Sequence, residues 1–187
     1  GMRQQRTETT AIADNTAPAT FDNTIVAMER SGRLLARVSR VFFNMIGADT
    51  NEALENLQRE LSPKLSAHRD AIMHNAKLFT RVQALYDVRA TLGLDPESMR
   101  LLERYRTDFI RAGARLSAED KEKLRRLNRD LATLSTKFSQ NVLKEINASA
   151  VVVETRHELA GLPDNAIAAA AEAAKVRGLE GKYVVAL

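Results

Sequence analysis

Apolar residues recur along most of this chain at three- and four-residue steps, the spacing that lines one face of an α-helix. Ile25, Met28, Leu35, Val38, Phe42 and Met45 form one such stripe and predict a helix over about 21–46, ended by a left-handed cap at Gly47. Upstream, residues 3–13 predict a short polar helix closed by a turn near Pro18. Asp49, with Glu52 three positions on, predicts an N-cap and a helix to about 74. Pro63 predicts a kink or break in it, because a proline inside a helix costs ~3 kcal/mol or more. Leu78, Val82, Leu85 and Val88 predict a helix over 76–91 that stops at Gly93.

Asp95-Pro96-Glu97 carries its own start signal: a capping carboxylate, a proline at the first helical position and an acid near the positive helix end. Leu102, Tyr105, Phe109 and Ala112 give that helix its stripe, and Gly113 weakens its last turn. From Ser117 onward, Leu124, Leu127, Leu131, Leu134, Phe138 and Val142 mark the longest regular segment. This seam suits packing against a neighbouring helix at a shallow angle. It reads as core between helices of one chain, with an interface as the other reading. Val151-Val152-Val153 then predicts a strand, residues 164–176 an alanine-rich helix, and Lys182–Leu187 a second strand beyond a turn at Gly178 and Gly181. The expected fold class is mainly α: antiparallel amphipathic helices in a bundle-like lobe, with a small β element near the carboxyl end. Residues 1–20 are expected to be flexible or briefly helical, 21–148 to form the helical lobe, and 149–187 a strand–helix–strand segment.

Composition adds exclusions. Of the 187 residues, 44 % are hydrophobic and 28 % charged, which is ordinary for a water-soluble globular chain. No apolar run approaches the roughly 18 residues of a membrane span, and the first residues lack the apolar core of a leader peptide, so no membrane partner is expected. There is no cysteine, hence no disulfide and no thiol chemistry, which suits a cytoplasmic protein. The formal net charge of +4 is spread among acids. Lys121, Lys123, Arg125, Arg126 and Arg129 form the best cationic cluster, but Glu119, Asp120, Glu122 and Asp130 alternate with them. Those acids cancel much of the field within a Debye length of ~8–10 Å. A solvated helix face is expected there, and no nucleic-acid partner.

Candidate catalytic chemistry is thin. His157-Glu158-Leu159-Ala160-Gly161 begins like the zinc helix H-E-x-x-H, but the second imidazole position holds Gly161, and Pro163 makes the segment a turn. His68 and His74 lie six positions apart, roughly 240° round a helix, so they face different sides and read as surface or partly buried histidines. No nucleophile elbow and no phosphate loop occurs. No residue is assigned as catalytic, cofactor-binding or metal-ligating.

Four blocks do carry a signature. Thr20–Gly32 reads T-F-D-N-T-I-V-A-M-E-R-S-G, Val41–Met45 V-F-F-N-M, Ser62–His68 S-P-K-L-S-A-H, and Leu134–Leu143 L-S-T-K-F-S-Q-N-V-L. In that order they resemble the amino-terminal helical region of the thimet oligopeptidase/neurolysin family of zinc peptidases, its bacterial peptidyl-dipeptidases above all. The resemblance implies a lobe forming one wall of a deep channel for short peptides, with a zinc-bearing catalytic half as the other wall. The family's zinc motif and its downstream glutamate lie beyond the matched segment, so the resemblance carries no metal or catalytic residue onto this chain. It implies an inactive segment, truncated before the catalytic domain, whose partners are that domain and, in the intact enzyme, short peptides. Alone, it is expected to self-associate. The alternative is a stand-alone helical interaction module from a truncated gene.

Overall fold

The computed structural model describes residues 1–185, except the side chain of Asn147. The fold is mainly helical, with one two-stranded antiparallel sheet near the carboxyl end. It falls into two compact units, one over Gly1–Thr136 and one from Lys137 onward.

The first unit begins with α1 (Met2–Ala13), a π-helical turn (Asp22–Val26) and the short α2 (Ala27–Arg30). It continues through α3 (Arg33–Ala48), α4 (Glu52–Met73), α5 (Ala76–Asp87) and α6 (Pro96–Arg111) to the first turns of α7 (Ala118–Ala148). Its core draws Ile12 and Ala13 from α1, Ile25 from the π turn, and Met28 from α2. Leu78, Val82 and Leu85 come from α5, and Leu102 and Phe109 from α6. Leu78, Val82 and Leu85 step by four and three, and Leu102 and Phe109 lie two turns apart, so each set lines one face of its helix and the two faces close on one another.

The stretch 21–46 is not one helix: the π turn and α2 form its first part, and α3 begins anew after a break at Ser31–Gly32. Ser31 is extended and Gly32 is left-handed at φ 69°. A carboxylate oxygen of Glu8 accepts the Gly32 N–H at 2.7 Å, and an added Cβ at Gly32 would lie 2.3 Å from the Gln5 side chain. The break is thus held by α1, far away in sequence. It also divides the stripe. Ile25 and Met28 enter the core, whereas α3 has no buried residue at all.

Other boundaries differ from expectation for local reasons. Gly47 is an ordinary helical residue, and α3 ends at Ala48 without a left-handed glycine. The cap of α4 is Asn51, whose side chain accepts the Leu54 N–H at 3.0 Å; Asp49 lies outside that helix. Helix α4 runs through Pro63 unbroken. A proline removes one rung of the ladder, and its neighbour Ser62 adds a side-chain bond to the Gln58 carbonyl at 2.8 Å. The α-helix after Asn75 stops at Asp87, and Arg89–Thr91 form a separate 3₁₀ turn. Asp95 caps α6 as its sequence indicates, accepting from the backbone of Glu97 and Ser98 at 2.9 and 3.0 Å.

The amino-terminal residues are anchored. Thr9, Ile12 and Ala13 are buried, and the loop after them is held by buried Arg81 of α5. Arg81 donates to the carbonyls of Asn15 and Ala17 at 2.8 and 3.0 Å and to the Asn23 side-chain oxygen at 2.7 Å. Asn23 in turn donates to the Pro18 carbonyl at 2.9 Å and accepts the Thr20 N–H at 2.8 Å.

In the second unit, β1 (Val151–Val153) pairs antiparallel with β2 (Tyr183–Val185), Val152 opposite Val184. Between them lie a 3₁₀ turn (Arg156–Leu159) and α8 (Asp164–Val176). Leu159, Ile167, Ala170, Ala174 and Val184 are buried, so the alanine face of α8 is a packing face. Ala186 and Leu187, the end of the expected second strand, lie outside the described residues.

Candidate functional site

The zinc-like string resolves into a local cap. Glu158 accepts the Thr155 N–H at 3.0 Å and the Thr155 hydroxyl at 2.7 Å, closing the 3₁₀ turn that contains His157. Its carboxylate is used to start a turn, and the segment is not an α-helix that could stack two imidazoles. His68 and His74 do face different partners, but both are buried. His68 Nε2 donates to the Gln5 side-chain oxygen at 2.8 Å, and His74 Nε2 donates to the Ala112 carbonyl at 2.7 Å. Among the described residues no group of three or more His, Cys, Asp or Glu is placed to hold a metal ion. The described residues do not fit a zinc site.

His68 has a consequence for acid stability. Burial holds its imidazole below the ordinary value of about 6.5, with Arg6 and the amino terminus reinforcing the effect. Its Nδ1 is buried without a partner, so protonation would place an unmatched donor inside the unit. The unfolded chain therefore binds the proton more readily than the folded one. That stability is complete above about pH 6.5 and is lost as pH falls below it. Urea midpoints measured between pH 7.5 and pH 5 should fall for the natural chain, and His68→Gln should flatten the slope.

The cationic cluster on α7 is largely neutralised. Lys123 lies 2.7 Å from Glu119, and Arg125 and Arg126 lie 3.2 and 3.7 Å from Glu122. Where α4 meets the first part of α7, the Asn128 amide donates to Asp70 at 2.9 Å. Arg69, Asp70, Asp108 and Arg111 line a cavity of about 430 Å³ there, with charges of both signs and no nucleophile–base pair.

What the structure does present is uncovered apolar surface. Between α3 and α4, Leu34, Leu35, Val38 and Phe42 face Leu57, Leu61 and Leu65 across a cavity of about 340 Å³. Val38 and Val41 remain 57 % and 58 % exposed. On α7 the expected core row is bare: Leu127, Leu131 and Leu134 are 64 %, 63 % and 63 % exposed, and Phe138 is 70 % exposed. For these four side chains the reading of the row as intrachain core does not hold, since each is open to solvent among the described residues, whereas Leu124 at the start of the row is half-buried. Single exposed leucines are common, but continuous rows mark contact surfaces.

Over all 187 residues the chain is 44 % identical to the dipeptidyl carboxypeptidase of Escherichia coli K12, spanning 28 % of that protein. This chain is homologous to part of the dipeptidyl carboxypeptidases. The Salmonella typhimurium protein of the same name is 43 % identical over the same span. Oligopeptidase A of Haemophilus influenzae is more distant, at 25 % over 162 residues, which cover 87 % of this chain and 24 % of the relative. No protein-family model matches. The chain therefore spans little more than a quarter of the length of the dipeptidyl carboxypeptidases it matches. No described helix is long and apolar enough to cross a membrane.

Proposed function

We propose that this chain is a non-catalytic helical lobe of a cytoplasmic zinc peptidase that hydrolyses short peptides, and that it shapes one wall of the substrate channel. The observation that carries this is the end-to-end match to about a quarter of a dipeptidyl carboxypeptidase by a chain whose α3 and α7 rows stand uncovered. In this reading the zinc ligands and the water-activating glutamate belong to the rest of the protein, and the exposed rows are where that rest packs. The lobe excludes folded proteins by narrowing the channel and offers packing surface to the metal-bearing part. In isolation the same rows drive self-association of the chain, because apolar area that a partner normally covers is open to water.

Mixing the chain with the complementary portion of the E. coli relative tests this. A stable one-to-one complex by sedimentation is expected. Leu127→Glu combined with Leu131→Glu should weaken it at least about a hundredfold, since each places a charge against a desolvated apolar surface. Those substitutions should also shift the isolated chain toward monomer in light scattering. A chain that stays monomeric at high concentration and ignores the complementary portion would refute the proposal.

A further inference from the structure

A second surface lies on the other side of α6 from its core stripe. Arg100, Glu103, Arg104, Thr107, Asp108 and Arg111 recur at steps of three, one, three, one and three, so they form one polar row along the helix. Together with Tyr86 and Arg106 they line an open groove of about 550 Å³.

The base of that groove is organised around cations. The guanidinium groups of Arg89 and Arg106 sit over the Tyr86 ring at 4.0 and 4.1 Å. Arg89 also donates to the Tyr86 carbonyl at 2.8 Å, and Arg106 Nε donates to the Gln83 side-chain oxygen at 3.0 Å. Stacking and these bonds fix the guanidinium planes before any ligand arrives, which lowers the ordering cost of binding. Among the described residues neither Arg89, Arg106 nor Arg111 has a carboxylate within ion-pair distance. Arg100 and Arg104 have loose ones, Glu103 at 3.5 Å and Asp108 at 3.8 Å. Four guanidinium groups, those of Arg100, Arg104, Arg106 and Arg111, thus face two carboxylates in one groove, with Arg89 stacked behind them on Tyr86.

We propose that this groove binds a carboxylate-rich peptide segment laid along α6 in extended form. Guanidinium forks match carboxylates in bidentate geometry. The spacing selects a peptide over a denser anion. Arg100 and Arg104 are ~6 Å apart along the helix axis, and Arg111 lies ~10 Å further. An extended peptide presents side chains on one face every ~6.6 Å. Glu103 and Asp108 sit between the arginines and would repel the closely packed charges of a polyphosphate. With two guanidinium groups already on its ring, Tyr86 is not a platform for a nucleobase. The inference goes beyond the peptidase reading and does not depend on it.

The test uses the full 187-residue chain and a fluorescent alternating Glu–Ala peptide of about eight residues, followed by anisotropy at low ionic strength. Binding is expected, and it should weaken with salt. Arg104→Gln and Arg111→Gln, both at exposed positions, should each weaken it about fivefold. Arg126→Gln on α7 should leave it unchanged, and circular dichroism should show all three variants folded. The proposal is overturned if a Lys–Ala peptide binds as well, if Arg126→Gln weakens binding as much as the groove variants do, or if tripolyphosphate binds the groove more tightly than the Glu–Ala peptide.

Discussion

Phe109→Ala should lower the free energy of unfolding by about 3–5 kcal/mol, whereas Phe138→Ala should change it by less than about 0.5 kcal/mol. Both phenylalanines sit in regular apolar stripes of long helices, and periodicity alone ranks them as equals. Their surroundings do not. Phe109 is 1 % exposed, its ring 6.0 Å from that of Phe79, within the cluster that joins α1, α2, α5 and α6. Truncating it removes a large buried side chain and leaves a cavity that backbone from four elements cannot collapse to fill. Phe138 is 70 % exposed, so its truncation exchanges one solvated side chain for another. Urea unfolding followed by circular dichroism checks both. Measured at concentrations where the chain is monomeric, equal losses at the two positions would mean that the α7 row is covered in solution by this chain itself.

Arg81→Met should cost about 3 kcal/mol and loosen residues 14–20. Methionine keeps much of the stem's packing but removes the three hydrogen bonds that hold the Asn15 and Ala17 carbonyls and the Asn23 side chain. Bonds to a charged donor are worth about 1.5–3 kcal/mol each. Asn15 and Ala17 are exposed, so water replaces part of that loss, and Asn23 bears most of the remainder. Hydrogen exchange should show the loop deprotected in the variant while α6 stays protected. An unchanged loop would show that Pro18 and the Asn23–Thr20 bonds hold it without Arg81.

These two positions show where the sequence was informative. The cap at Asp95 and Pro96 was legible because every interaction that makes it lies within four residues. The β1–α8–β2 order was legible for the same reason: its valines, alanines and turn glycines follow one another directly. The break at Ser31–Gly32 was not, since Glu8 and Gln5 hold it from another helix, and a periodic stripe runs across it undisturbed. The shift of the α4 cap from Asp49 to Asn51 was a choice between two capable side chains two residues apart. Leu127, Leu131 and Leu134 showed a buried-type pattern truthfully, but periodicity says which face is apolar and not whether this chain supplies the cover. The block T-F-D-N-T carried part of the resemblance, and its structural use is now specific: Asn23 gathers the loop while Thr24, like Ile25 just after the block, is fully buried. The histidines' divergence followed from helix rotation alone. The sequence reads them as surface or partly buried; how deep they lie depends on packing with residues distant in sequence, such as the partners Gln5 and Ala112.

In the proposed reading, the peptidase chemistry resides outside this chain. Purified chain, supplied with zinc and a quenched-fluorescence short peptide, should show no hydrolysis above background and retain less than about a tenth of a zinc ion per molecule after dialysis, since no described ligand set can hold one. Turnover by the chain alone that a chelator abolishes and added zinc restores would contradict the account.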